Sequence, residues 1–419
     1  MFAGPNLRNG KFLSLIVGIV MIFGGLSACA QNGNSNNTTT QVTGPVKIGI
    51  SLSLTGDASA DGKATQQGYE LWADEVNKSG GLLGHQVQLI FKDDGTKVAQ
   101  TAVNYESLIT VDKVNFVLGP FDDDFTVAGA EVAARHTYSF IEGTGTSPND
   151  FTHGLTNLFS VSLSTAQYMG SFVHYILSLP ADVRPKTVAY MSSDAPFTAA
   201  QVEPVRTLLE QGGLTTVLYD IYPAEKPDLK AAAQKVVASH ADVVILGTDA
   251  LPDCITYLQY FMTQHFNPKM IIATSGPDQG SAFTDAIGGA NKAEGLLIAN
   301  DGWDPTLKTY QNDVFVSGFV KKFGGGAGDI GSDSVQAFSV GQVLYQAVNQ
   351  AQSLDNGKVI NVLRSTNFQT LQGPVKFASD GENTLAIPYL FQWQNGQLIV
   401  VYPQSQAQAN VEYPKPPWP

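Results

Sequence analysis

VKIGISLSLTGDASADGKATQQGYELWADEVNKSGGLLGHQVQLIFKDDGT, residues 46–96, is the stretch that decides the fold. Its opening VKIGISLSL predicts a strand over 46–54, and residues 62–77 follow with Tyr69, Trp72, Ala73 and Val76 at helical spacing. Gly80-Gly81-Leu82-Leu83-Gly84 makes a turn, and VQLIF at 87–91 returns as a strand. A helix over 98–109, a strand over 115–118, a helix over 126–134 and a strand over 139–141 continue the series. Strands alternating with helices imply βαβ units and a parallel sheet covered on both faces.

A second series starts after residues 157–162. Helices over 167–179, 203–211, 229–239 and 251–264 alternate with strands over 187–191, 216–219, 242–246 and 270–273. Two such series predict an α/β protein of two doubly wound lobes. The remainder is less regular, with helices over 307–323 and 334–351, another starting at 359–363, and short strands at 375–377, 389–393 and 398–401. The glycine loop at 324–328 follows no strand, so it gives no support to phosphate binding. The proline-rich 413–419 is expected to lie irregularly along the surface.

The N-terminus gives an address. Arg8 and Lys11 precede an apolar run over 12–23 and the small residues Leu26-Ser27-Ala28-Cys29, the pattern of a secretory signal. The run is too short to span a bilayer, which takes roughly 20 residues. Its ending resembles the lipobox of bacterial lipoproteins. That likeness implies a signal peptide over 1–28, lipid on Cys29 and an extracytoplasmic body held to a bacterial membrane. Residues 29–45, rich in Asn, Thr, Gly and Gln, read as a flexible linker. The 419 residues hold two domains and a large core. With 24 basic against 37 acidic residues the chain repels nucleic acid. Only Cys29 and Cys254 exist, and lipid on the first excludes an internal disulfide. Cys254, in a helical pattern, reads as a small buried hydrophobe.

Catalytic signatures are missing: no G-x-S-x-G, Walker loop, H-E-x-x-H or C-x-x-C occurs. His85, His136, His153, His174, His240 and His265 are scattered without ligand spacing. No catalytic residue, metal or cofactor is therefore expected.

The residues of 46–120 resemble the start of branched-chain amino acid-type solute-binding proteins of ABC transporters. The shared features are Leu54-Thr55-Gly56, Gly62, Gly68, the passage NKSGGLLG at 77–84, Asp93-Asp94 and VNFVLG at 114–119. The likeness returns at Ala293-Glu294-Gly295 and Gly373-Pro374-Val375, and covers nearly all of 46–401. It implies a type I periplasmic-binding fold, with crossings near 160–164, 298–302 and 372–375. Lobe one would be 46–163 plus 301–372, lobe two 164–300 plus 373–404, with 405–419 an irregular tail. The implied protein is a monomer that closes by a hinge over an amino acid or a related small amine or amide, and delivers it to an ABC permease. A sensory receptor of the same fold is the alternative, and a surface hydrolase a remote one.

The resemblance also implies site residues, at strand ends where open α/β sheets bind ligands. Thr144 and Thr146, in the loop after the fourth strand, match positions that hold an amino acid carboxylate. Asp123 stands where the family carries a carboxylate-binding serine. Asp122-Asp123-Asp124 either cap the following helix or adapt the cleft to an amine-bearing ligand. Asp61 and Phe197 replace aromatic ligand contacts, and Asp249 lies in a loop that often carries another. Asp278 aligns with the acid that pairs a ligand ammonium, and Ser164 replaces an aspartate at the first crossing.

Overall fold

The computed structural model describes residues 44–225, 227–300 and 302–419. The expected signal peptide, the lipidated Cys29 and all but the end of the 29–45 linker lie outside the described residues.

The first lobe opens with β1 (Val46–Leu52), α1 (Ser59–Lys78), β2 (Val87–Asp93), α2 (Val98–Thr110), β3 (Phe116–Leu118), α3 (Asp123–Arg135), β4 (Phe140–Glu142) and β5 (Leu158–Ser160). Its strands are parallel, in the order β2-β1-β3-β4-β5. The second lobe runs α4 (Gly170–Ser178), β6 (Thr187–Ser193), α5 (Pro196–Gln211), β7 (Thr215–Tyr222), α6 (Leu229–Ser239), β8 (Val243–Gly247), α7 (Leu251–Thr263), β9 (Met270–Ala273), α8 (Gly280–Ile287) and β10 (Leu297–Asn300). The order β7-β6-β8-β9-β10 repeats the winding of the first sheet. The chain then returns with α9 (Asn312–Phe323), α10 (Ser332–Ala351), α11 (Asn356–Ser365) and the ribbon β11 (Phe368–Thr370) and β12 (Gly373–Val375). It ends with β13 (Tyr389–Gln394), antiparallel to β10, and β14 (Gln397–Tyr402) outside it.

Every residue of β1 but Lys47 is buried, as a parallel strand covered on both faces requires. Tyr69 and Trp72 of α1 pack with Phe338 and Val343 of α10 on one face, while Tyr105 and Leu108 of α2 pack with Ala130 and Ala133 of α3 on the other. Glycines set the close approaches: a Cβ on Gly62 would lie 2.1 Å from the Ser53 carbonyl oxygen, and one on Gly68 2.2 Å from that of Ser334. Cys254 is fully buried in α7, and that burial pushes its thiol far above the usual range, so it is an inert part of the core.

Two expectations shift. The third crossing lies at 376–388 rather than 372–375, because β12 pairs with β11 and Val375 and Phe377 are buried in the first lobe's core. The helix expected from 307 begins at Asn312, because Asn312 Nδ2 donates to the carbonyls of Asp304, Pro305 and Leu307 while its Oδ1 accepts from Trp303 Nε1 at 2.7 Å. The tail holds no helix or strand, yet it is anchored to the second lobe. Tyr413 Oη donates to the Val183 carbonyl at 2.6 Å and Trp418 Nε1 to that of Phe266 at 2.7 Å. Lys415, 3% exposed, lies 3.6 Å from the Trp418 ring centre, and burial pulls its ammonium down to about 8.

Candidate ligand-binding site

In each sheet the chain turns one way from the first strand and the other way from the third, which opens a crevice at their carboxyl ends. The first crevice lies after β1 and β3, the second after β6 and β8. Asp61 stands in the first turn of α1 after β1, and Asp122 in the loop after β3. Phe197 stands in the first turn of α5 after β6, and Asp249 in the loop after β8. Four expected or neighbouring positions thus come from equivalent places in two lobes.

The β1 end is held by two carboxylates. Asp93 accepts the backbone N–H groups of Leu54, Thr55 and Gly95 and the Thr55 hydroxyl. Asp94, 2% exposed, accepts Ser51 Oγ at 3.0 Å, Ser53 Oγ at 2.7 Å and Thr96 N at 3.1 Å. These aspartates build the turn.

After β3, Asp122 caps α3, its carboxylate accepting the Asp123 N–H at 2.7 Å. Its φ of 74° and ψ of 159° fall in a region nearly reserved for glycine, so the loop stores strain. Thr144 Oγ1 accepts the Asp122 N–H at 3.1 Å and donates to the Pro120 carbonyl at 2.9 Å, knitting the β3 and β4 loops together. Asp123 reaches across to the β4 loop, where Oδ1 accepts Thr146 N at 2.8 Å and Ser147 N at 3.1 Å. The Thr146 carbonyl accepts the Thr165 N–H, tying this loop to the first crossing.

Beneath lie two acids not singled out from the sequence. Glu142 is fully buried, with Oε2 accepting Gly145 N at 2.6 Å; burial, despite the nearby Ser160 hydroxyl, pushes its carboxyl up to about 8. Asp150, 3% exposed in the 3-10 turn Pro148–Thr152, is raised by burial and then by the charges of Asp123 and Glu142. Asp123 is raised as well, by burial and then by the charge of Asp122, so the Asp123–Asp150 pair keeps a proton to higher pH than free aspartates do. The only signal for Glu142 was an acidic residue closing an apolar strand and followed by glycine.

These protons make a testable prediction. A buried acid with a raised pKa stabilises the fold fully below its unfolded value near pH 4, and that stability drains as pH rises towards about 8 for Glu142. Each such proton is worth up to about 1.4 kcal/mol per pH unit. The unliganded protein should melt higher at pH 6 than at pH 8, and Glu142→Gln should flatten the slope. Calorimetric melts across that range check it, and an equal slope in the variant would remove Glu142 from the account.

In the second lobe Thr274 Oγ1 donates to the Thr248 carbonyl at 2.6 Å, and Thr248 Oγ1 to that of Ser275 at 2.8 Å, knitting the β8 and β9 loops as Thr144 does opposite. Asp249 is accessible, yet the surrounding protein, then Asp122 on the facing lobe and Asp253 behind, raise its carboxyl. Asp122 is likewise raised by its protein walls, then by Asp124 and Asp61. Asp61, Asp122, Asp123 and Asp249 thus share one electrostatic neighbourhood. Asp278 Oδ1 accepts Gly276 N at 3.0 Å and closes the turn into α8. Phe197 stacks edge-on against Tyr168, with ring centres 6.2 Å apart. Ser164 is nearly buried at the first crossing, near Glu382 of the third, whose carboxyl is raised by burial.

The lobes meet at the mouth, where Ser281 Oγ of α8 donates to Asp329 Oδ1 at 3.3 Å. The backbones come close there as well: a Cβ on Gly280 would lie 2.7 Å from the Gly328 oxygen. Asn383 Nδ2 of the third crossing donates to the Val161 carbonyl of the first at 2.9 Å, bonding the two side by side, and Ser162 Oγ donates to Gln372 Oε1 of the β11–β12 turn at 3.3 Å.

Two lobes of one winding, joined by three crossings and each opening a crevice at its strand ends, define a two-lobed receptor for a small solute. The chain belongs to the periplasmic binding protein family, which matches residues 45–397, and is a binding protein, not an enzyme. It is 23% identical over 385 residues to Leu/Ile/Val-binding protein homolog 7 of Brucella melitensis, covering 88% of this chain and 94% of that one. Among solved structures it resembles a branched-chain amino acid ABC transporter protein of Silicibacter pomeroyi, with TM-score 0.77, 20% identity and coverage of 88% and 99%. The isoleucine complex of LivJ from Streptococcus pneumoniae gives 0.71, 20%, 86% and 100%. The family places the protein outside the cytoplasm, and no helix among the described residues is long and apolar enough to cross a membrane.

Proposed function

We propose that this protein is the lipid-anchored solute-binding component of an ABC importer, holding an amino acid or a related small amine or amide between its lobes. The observation that carries this reading is the repeated winding of the two sheets, which opens a strand-end crevice in each lobe, together with the family match over residues 45–397. A solute touching both lobes favours the closed form, which a permease then recognises. Asp61, Asp249, Asp278 and Phe197 are the proposed wall contacts. Asp123, Thr144 and Thr146 hold the loop shape, and Ser164 sits at the hinge. Lipid on Cys29 keeps a monomeric receptor beside its permease.

Thermal melts with amino acids, polyamines, amides and urea test the reading. A ligand at 100-fold over its Kd adds about 2.7 kcal/mol, which moves Tm by a few degrees for a protein of this size. Small-angle scattering should show compaction with the same compound. Cys29→Ala should release the protein from the membrane fraction, and a variant still sedimenting with membranes would refute the lipid anchor.

A further inference from the structure

The fold and family fix where a solute binds; the charges and donors at that place say what kind. Residues 53–58 after β1, 119–122 after β3, 143–152 after β4, 194–195 after β6, 248–250 after β8 and 274–279 after β9 contain no Lys, Arg or His; His153 comes later, on the way to β5. They contribute Asp122 and Asp249 directly, and Asp61 and Asp253 lie in the helix turns that follow the β1 and β8 loops. Among the described residues no ion pair includes Asp61, Asp122, Asp123, Asp249, Asp253 or Asp278.

A second observation concerns the donors. Backbone N–H groups in a glycine-containing strand-end loop are natural receivers of an anion. Here Thr146 N and Ser147 N already donate to Asp123, and Gly145 N to Glu142. The protein's own carboxylates fill the seat an anionic group would take. The acids are also spread out rather than converging: among the described residues no three His, Cys, Asp or Glu side chains are placed to hold a metal ion. That spacing suits an organic cation.

From this we infer that the cleft takes an organic cation bearing no carboxylate at its first-lobe end, and that the cation is what permits closure. Closing the cleft further than the contact of α8 with residues 328–329 works against the repulsion of Asp122 and Asp249, which no ion pair among the described residues offsets. An ammonium or guanidinium group between them removes the opposition in the closed form and much less in the open one. That difference is the differential affinity a ligand needs to shift the equilibrium. Asp123 is then a specificity-determining residue: by occupying the loop donors it turns away carboxylates. The inference rests on the solute-binding reading above and narrows it.

Calorimetric titration with putrescine, agmatine, leucine, benzoate and acetamide, with small-angle scattering of each mixture, tests both layers. Putrescine or agmatine should bind and compact the protein, with affinity falling as salt rises. The double variant Asp122→Asn, Asp249→Asn, which keeps a polar cap on α3, should bind the cation at least tenfold more weakly. Without ligand it should be more compact than the parent. Binding and compaction by leucine, benzoate or acetamide but by neither cation would overturn the inference and leave the solute-binding reading standing. An unliganded double variant as open as the parent would also overturn it, whichever compound binds. Absence of compaction with every compound, and in the double variant, would count against both.

Discussion

Gly68→Leu should prevent the first lobe from folding, with a stability loss above about 4 kcal/mol and little soluble protein. Gly68 faces α10 from the middle of α1, and an added Cβ would lie 2.2 Å from the Ser334 carbonyl oxygen and 2.8 Å from Ala337 Cβ. The first obstacle is backbone, so no rotamer change relieves it. Ordinary overpacking costs about 1–3 kcal/mol because side chains can shift; here the helices must separate. Separation would also lift Trp72 from Gly341, where a Cβ would meet the indole at 2.2 Å. The control is Gly357→Ala in α11, whose Cβ meets only the Asp355 side chain at 3.3 Å. In a helix that change should leave Tm level or slightly higher. Soluble yield and thermal melts of the pair give the answer, and a well-folded Gly68→Leu protein would refute the packing account.

Asp94→Ala should cost about 3–5 kcal/mol. The buried carboxylate is the shared acceptor for Ser51 Oγ, Ser53 Oγ and the Thr96 N–H, and truncation strands all three at the joined ends of β1 and β2. Asn104 Nδ2, which donates to Ser51 Oγ at 3.0 Å, would lose its support next. Asp94→Asn retains one acceptor and should lose roughly half as much. Urea unfolding monitored by circular dichroism measures the ordering. Because Ser53 begins the loop leading to Asp61, solute affinity should fall along with stability. Equal stabilities for Ala and Asn would show that the hydrogen bonds are not the cause.

The fold was legible where local pattern and tertiary burial agree. VKIGISL is covered on both faces and reads as a strand from its residues alone, and the spacing of Tyr69, Trp72 and Val76 marks the side of α1 that meets α10. The third crossing was misplaced because three-residue strands such as β11 and β12 carry too little pattern to show which sheet they serve. At the site, the sequence located the aspartates but not their partners. Asp123 was left between capping and the cleft; the structure gives the cap to Asp122 and sends Asp123 to Thr146 and Ser147, a pairing set by the juxtaposition of β3 and β4. The raised pKa values of Glu142 and Asp150 depend on burial by residues distant in sequence, which no local motif encodes.

The order in which the chain visits its lobes has a consequence for biosynthesis. α1 and β1 need α10 as their cover, and β10 needs β13 as its neighbour, so residues made early wait for partners made late. A nascent chain halted before residue 332 has neither lobe sealed. Such long-range closure is slow to form and cannot be completed while the polypeptide is still growing. Neither lobe can therefore reach its final packing until these late segments are available, so the two halves of the cleft mature together rather than one after the other.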